Sequence, residues 1–306
     1  MMRKIVLCIL FIMAFGKVYS QLQPMSEQYI VDGLSINPAY AGRREALSIA
    51  ISYRHQWVGF EGAPVTQTGS IHSPLLHENV GVGLLFMNRE IGVTQESGIM
   101  SNYSFSFRTG EGRMSLGLGA GVILKNKNPN KLRSVDPDDE VLSSAEEAYY
   151  MPDFSAGVYY NTDNFFAGFS MPFFIHHRFN SAKGEYELYH DFEKCTYMAT
   201  GGYLWEISDD FKLFPNTLYR YNPKGHQQAD MSLYMILGEK FWLGGSYRTE
   251  NQMIFTLQYQ ITNQLRIAYS YGTENTALSR YNKGTHEITL QYDFKYLVEA
   301  ISPRYF

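Results

Sequence analysis

Between Phe241 and Phe294 the chain carries three runs in which apolar and polar residues alternate. In Phe255-Thr256-Leu257-Gln258-Tyr259-Gln260-Ile261 every odd position is apolar or aromatic and every even one polar. The pattern returns in Leu265-Arg266-Ile267-Ala268-Tyr269-Ser270-Tyr271 and in Ile288-Thr289-Leu290-Gln291-Tyr292-Asp293-Phe294. A period of two sends alternate side chains to opposite faces of a strand. One face then meets lipid or a core, and the other meets water. Read along the whole chain, the pattern predicts strands near 47–54, 65–73, 80–90, 95–108, 112–125, 153–161, 164–171, 195–206, 210–220, 228–237, 240–248, 252–260, 263–271 and 284–294, which makes about 14. In Leu116-Gly117-Leu118-Gly119-Ala120-Gly121-Val122 a leucine face opposes a glycine face. Inward glycines leave room for something in the lumen or allow local curvature.

The connections divide into two sets. Those after even-numbered strands are short, as at Thr109-Gly110-Glu111, Gly238-Glu239-Lys240 and Ile261-Thr262-Asn263. Several after odd-numbered strands are long: 55–64, 126–152, 172–194, 221–227 and 272–283. Short turns on one rim and long loops on the other belong to bacterial outer-membrane barrels, with the short side periplasmic. The fold class predicted is therefore all-β: a transmembrane antiparallel β-barrel with short periplasmic turns and longer extracellular loops. An even strand count puts both ends on the periplasmic rim and leaves no unpaired edge in lipid.

Composition supports this reading. Only 18% of the 306 residues are charged, 45% are hydrophobic, and Tyr is abundant at 24. Half-apolar strands with Tyr and Phe in interfacial girdles produce such a balance. The net charge of −4 and the absence of a basic run interleaved with aromatics exclude nucleic acid as a partner class. Residues 1–20 read as a signal peptide, with Arg3 and Lys4 ahead of the apolar run Ile5 to Phe15 and permissive residues at Val18-Tyr19-Ser20. Cleavage before Gln21 is expected, with export to the outer membrane of a Gram-negative bacterium. No later apolar run is long enough for a transmembrane helix. Cys195, the only cysteine left after cleavage, has no partner for a disulfide and reads as an ordinary barrel-wall residue.

Residues 21–46 are broken by Pro24, Pro38 and Gly42 and are not strand-like. Tyr29, Ile30, Leu34, Ile36 and Tyr40 make them too apolar for a solvated tail, so a periplasmic or lumen-packed segment is expected ahead of the barrel and its C-terminal tail, 47–306. The acidic run Asp136-Pro137-Asp138-Asp139-Glu140 lacks EF-hand spacing and reads as a solvated loop.

Two stretches carry a family likeness: Ser26-Glu27-Gln28-Tyr29 with Asn37-Pro38-Ala39-Tyr40-Ala41-Gly42, and Tyr53-Arg54-His55-Gln56-Trp57-Val58-Gly59-Phe60-Glu61-Gly62-Ala63-Pro64-Val65-Thr66-Gln67-Thr68. The ending Ser302-Pro303-Arg304-Tyr305-Phe306 fits as well. Together they resemble the PorP/SprF outer-membrane proteins of the type IX secretion and gliding machinery of Bacteroidetes. The resemblance implies a non-enzymatic barrel that supports secretion or surface attachment of large adhesin-like cargo. Its implied partners are the C-terminal domain of that cargo, other type IX components and outer-membrane lipid. Within the motif, Trp57 and Phe60 sit on a loop hinged by Gly59 and Gly62. They are candidates for a lumen constriction or a partner anchor, with girdle aromatics as the plain alternative.

Candidate chemistry is sparse. No Gly-x-Ser-x-Gly, phosphate loop or dinucleotide fingerprint occurs. His176 and His177 with His190 and Asp191 are the one imaginable metal set, but adjacent strand residues point to opposite faces. No catalytic residue, metal or cofactor is expected. Inward positions such as Thr256, Gln258, Arg266, Glu287 and Asp293 mix both charge signs, unlike a strongly selective constriction. A porin-like channel for small solutes is the competing function.

Overall fold

The computed structural model describes residues 26–44, 46–75, 79–127, 147–180, 185–225, 227–249, 251–274 and 277–294. Residues 1–25, which include the expected signal peptide, the acidic residues 136–140 and the tail 295–306 lie outside the described residues. The strands are β1 (Leu47–His55), β2 (Val65–Pro74), β3 (Val80–Ile91), β4 (Thr94–Thr109), β5 (Gly112–Lys127), β6 (Glu147–Asn161), β7 (Phe165–Met171), β8 (His176–Asn180) and β9 (Glu185–Tyr189). They continue as β10 (Tyr197–Tyr203), β11 (Trp205–Ser208), β12 (Phe211–Tyr221), β13 (Gln228–Leu237), β14 (Phe241–Arg248), β15 (Gln252–Gln260), β16 (Leu265–Glu274) and β17 (Thr285–Phe294).

Fourteen of these form one closed antiparallel barrel. β1 to β7 run in sequence, β10 joins β7 to β12, and β12 to β17 lead back to β1. The closing seam pairs Leu47 with Phe294 through to His55 with His286. Sidedness is the reverse of a soluble sheet. On β15, Phe255 is 57% exposed while Gln258 is 0% exposed. The alternation therefore turns apolar side chains out to acyl chains and polar ones into the lumen.

Three details depart from the periodicity. β6 begins at Glu147, because β5 extends to Lys127 and pairs with it through Val122↔Pro152. Pro152 fits there because β7 pairs with β6 only from Ala156 onward, and proline suits a strand with an unpaired edge. The predicted strand 195–206 is broken at the buried Leu204, whose N–H donates to Asn164 O at 2.7 Å; β11 continues beyond it. Cys195 is not a wall residue. It lies buried in the loop before β10, with Sγ near Asp191 O (3.5 Å) and Phe174 O (3.9 Å). The β8–β9 hairpin occupies the same long loop, on the outer rim.

Candidate functional site

The lumen is occupied by the chain's own segment Ser26–Arg44. It begins in the outer half, where Ser26 Oγ donates to Glu287 Oε1 and Glu27 N donates to Glu287 Oε2 at 2.7 Å. It ends at the inner rim, where Arg44 Nη1 donates to Asp293 Oδ2 at 2.9 Å. Six positions of β17 separate the two anchors, about 20 Å of strand.

Two 3-10 turns, Gly33–Ser35 and Pro38–Tyr40, shape the segment. Asn37 caps the second: its Oδ1 accepts from Ala39 N at 2.9 Å, and Pro38 follows where no N–H is needed. Its Nδ2 donates to Val158 O on β6 at 3.0 Å. Ser170 Oγ donates to Ile36 O (2.6 Å), Ser104 Oγ to Ala41 O (2.7 Å), and Gly42 N to His72 Nδ1 (3.2 Å). The Tyr40 ring stands edge-on to both His72 and Tyr159. Backbone groups that cannot join a helix or sheet ladder are thus satisfied by inward-facing polar side chains.

Close approach requires glycine on the wall. A Cβ on Gly117 would lie 2.1 Å from Ala39 N, one on Gly157 2.1 Å from Asn37 Oδ1, and one on Gly81 2.2 Å from Ala41 O. Part of the glycine face seen in β5 is therefore the bed of the second turn.

Buried charges hold the upper half. Arg54 on β1 lies 3.4 Å from Glu27 and 3.6 Å from Glu287, with one guanidinium between two carboxylates. Burial pushes the Glu27 carboxyl up to about 7; Arg54 opposes the rise and Glu287 adds to it. Burial likewise raises Asp32 to about 6, against the hydrogen bond it accepts from Ser70 at 2.8 Å. Arg248 grips Asp230 through two bonds, 2.8 and 2.6 Å, in the fork geometry favoured by guanidinium and carboxylate.

The other side of the lumen is a true apolar core. Tyr29, Leu34 and Tyr40 belong to one cluster with Phe166, Phe214 and Trp242 of the wall. The period-two reading missed this cluster. Its signal was present in β12, where Phe214 and Leu218 break the polar parity set by Lys212, Asn216 and Arg220.

The motif residues fall in two places. Asn37, Pro38, Ala39, Tyr40, Ala41 and Gly42 are the lower half of the lumenal segment, and Arg54 braces its upper half. Gln56, Trp57, Gly59, Phe60, Gly62 and Pro64 build the outer loop between β1 and β2. Gln56 N donates to Pro64 O, and Val58 pairs with the neighbouring rim loop through Gly284 and Lys283. Gly59 and Gly62 have φ of 95° and 74°, the left-handed region that favours glycine. Trp57 is half-buried, with φ 47°, and Phe60 is 46% exposed. His190 stacks on Phe174. No cluster with metal-ligand composition occurs among the described residues.

No curated protein matches the sequence. Among solved structures, the CymD monoaromatic hydrocarbon channel has a TM-score of 0.52 at 12% identity, covering 87% of this chain and 93% of that one. A FadL homologue from Pseudomonas aeruginosa (0.47, 13% identity, 86% and 94% covered) and Omp33 from Acinetobacter baumannii (0.47, 10%, 82% and 100%) are also similar. The likeness to CymD carries the barrel fold and nothing finer. The family described as type IX secretion system membrane protein PorP/SprF matches residues 18–292. With nearly the whole chain matched, its motif residues packed in and around the lumen of a 14-stranded barrel, this protein belongs to the PorP/SprF family of type IX secretion system membrane proteins.

Proposed function

We propose that the protein is a non-enzymatic outer-membrane component that supports secretion or surface attachment of large adhesin-like cargo by the type IX system. The observation that carries this is the filled lumen. A porin conducts through an open, water-lined bore, whereas this bore contains an anchored polypeptide and an apolar core. Work on a partner is then done at the rims. The glycine-hinged loop with exposed Phe60 and half-buried Trp57 is the anchor we assign to the outer rim. Deleting the gene is expected to leave one specific large surface protein unexported while nutrient uptake stays normal. Normal export of every candidate cargo in the deletion strain overturns the proposal. Stable conductance of the purified wild-type barrel in planar bilayers would instead favour a small-solute channel.

A further inference from the structure

The lumen above the anchored segment is not uniformly polar. A cavity of about 90 Å³ sits on Ser26, Ser35 and Ile36. One side of it is apolar: Leu85 and Met87 on β3, Met100 on β4, Ile123 on β5 and Met198 on β10. The outward neighbours Leu84, Phe86 and Ile99 already supply the lipid face, so these inward side chains have no membrane role. Leu85 and Met87 remain half-exposed inside the bore.

The other side is rich in donors. Arg54, Arg89 and Thr66 line it, and Arg54 Nη1, Arg89 Nε and Thr66 Oγ1 are buried with no hydrogen-bond partner among the described residues. Arg54 is only 4% exposed. The acids that line the cavity are engaged. Glu287 accepts from Ser26, Glu27 N and Ser52, and Glu96 accepts from Lys125. Arg54 keeps Glu287 as an ion partner at 3.6 Å and Arg89 keeps Glu96 at 3.7 Å; the three donor atoms that make no hydrogen bond, set beside an apolar wall, describe the negative image of a carboxylate on a short alkyl chain. A carboxylate is acceptor-only with about four lone-pair sites, and buried donors left unpaired are costly. Apolar lining with a few convergent polar groups is the usual make-up of a small-molecule site. The volume is below the roughly 150 Å³ that holds a benzene ring in an engineered protein cavity, which limits the body to a few carbons.

We propose that this cavity is a binding site for a short-chain aliphatic carboxylate, its alkyl end on Met87, Met100 and Ile123 and its carboxylate on Arg54, Arg89 and Thr66. The site stands independently of the export role.

The test uses the full-length protein in deuterated detergent and saturation-transfer NMR with propanoate, propan-1-ol and propylamine. Propanoate is expected to bind at least about tenfold more tightly than propylamine, the effect of one charge-assisted contact. Arg89→Gln should weaken propanoate by about that factor and leave propan-1-ol unchanged. Met100→Trp, or Ile123→Phe if the first variant fails to give a heat-modifiable folded band, should remove both ligands. Equal binding of propanoate and propylamine overturns the proposal. So does propanoate binding that survives filling the cavity, or no propanoate binding at all.

Discussion

Gly117→Val separates the lumenal segment from the barrel that holds it. A Cβ at this position lies 2.1 Å from Ala39 N, 2.4 Å from Ala39 Cα and 2.4 Å from Pro38 C. All three are backbone atoms of a capped turn, so no rotamer change relieves the collision. The barrel tolerates valine on a strand, so the turn must leave. With it go the bonds Asn37 to Val158 O, Ser104 to Ala41 O and Gly42 to His72, and the burial of the Tyr40 ring. Three bonds at about 1 kcal/mol each and about 2 kcal/mol for the ring give a loss on the order of 5 kcal/mol. That is enough to displace the lower half of the segment in most molecules. In planar bilayers the variant should show conductance steps absent from the wild type, and protease should cut near Asn37 in folded protein. Gly69→Val is the matched control, since a Cβ there meets nothing within 4 Å. A silent, protease-resistant Gly117→Val barrel that still shows a heat-modifiable folded band refutes the account.

Three further outcomes follow from the same geometry. Arg248→Ala leaves Asp230 buried without its fork partner and should lower barrel stability by about 3–5 kcal/mol, read as a fall in the temperature at which the gel band unfolds. Docking of the lumenal segment should tighten on acidification. Glu27 titrates near 7 when docked and near its ordinary 4.5 when free, so stability is full below 4.5 and is lost as pH rises through 7, on the order of 3 kcal/mol; protease protection at pH 5 and pH 8 measures it, and Glu27→Gln shrinks the difference to the part that Asp32, raised to about 6, contributes with the same sign. Asp153 accepts from Phe174 N and Ile175 N at 2.9 Å each, so Asp153→Asn should loosen the loop after β7 and raise proteolysis there with the barrel intact.

The strands were legible because lipid and lumen impose opposite demands on alternate residues. Gln252–Gln260 shows the limit case, with every side-chain position assigned by parity alone. The lumen was legible only in part. Glycine at 117 states that something comes close, but not what. Which residues come close depends on Asn37, whose partners Val158 O and Phe169 O are 121 and 132 positions away. Such contacts are backbone carbonyls on the far side of a closed sheet and leave no mark on local sequence. The strand break at Leu204 was hidden for a similar reason. Leu204 reads as one more apolar residue, and only its inward burial against the lumenal core turns the chain there.

The position of Arg54 links the lumenal segment to closure of the barrel itself. Arg54 is on the first strand and Glu287 opposite it on the last, paired in register across the seam. Glu27 contacts both, through its side chain to Arg54 and its backbone N–H to Glu287. Arg44 then reaches Asp293 on the same last strand near the inner rim. The segment therefore spans the seam at one height and clasps the last strand at another, and the contacts around Arg54 are complete only when β1 has met β17. Docking and closure are thermodynamically coupled through these contacts: docking favours closure by the same free energy by which closure favours docking. Arg54→Ala removes a contact across the seam together with its hold on Glu27, so the barrel loses seam stability and the coupling falls, whereas Ser170→Ala removes only the bond to Ile36 O on the opposite wall and leaves the coupling contacts at the seam intact. The difference between these two variants separates a clasp from a passive filler, because a filler would respond to both in the same way.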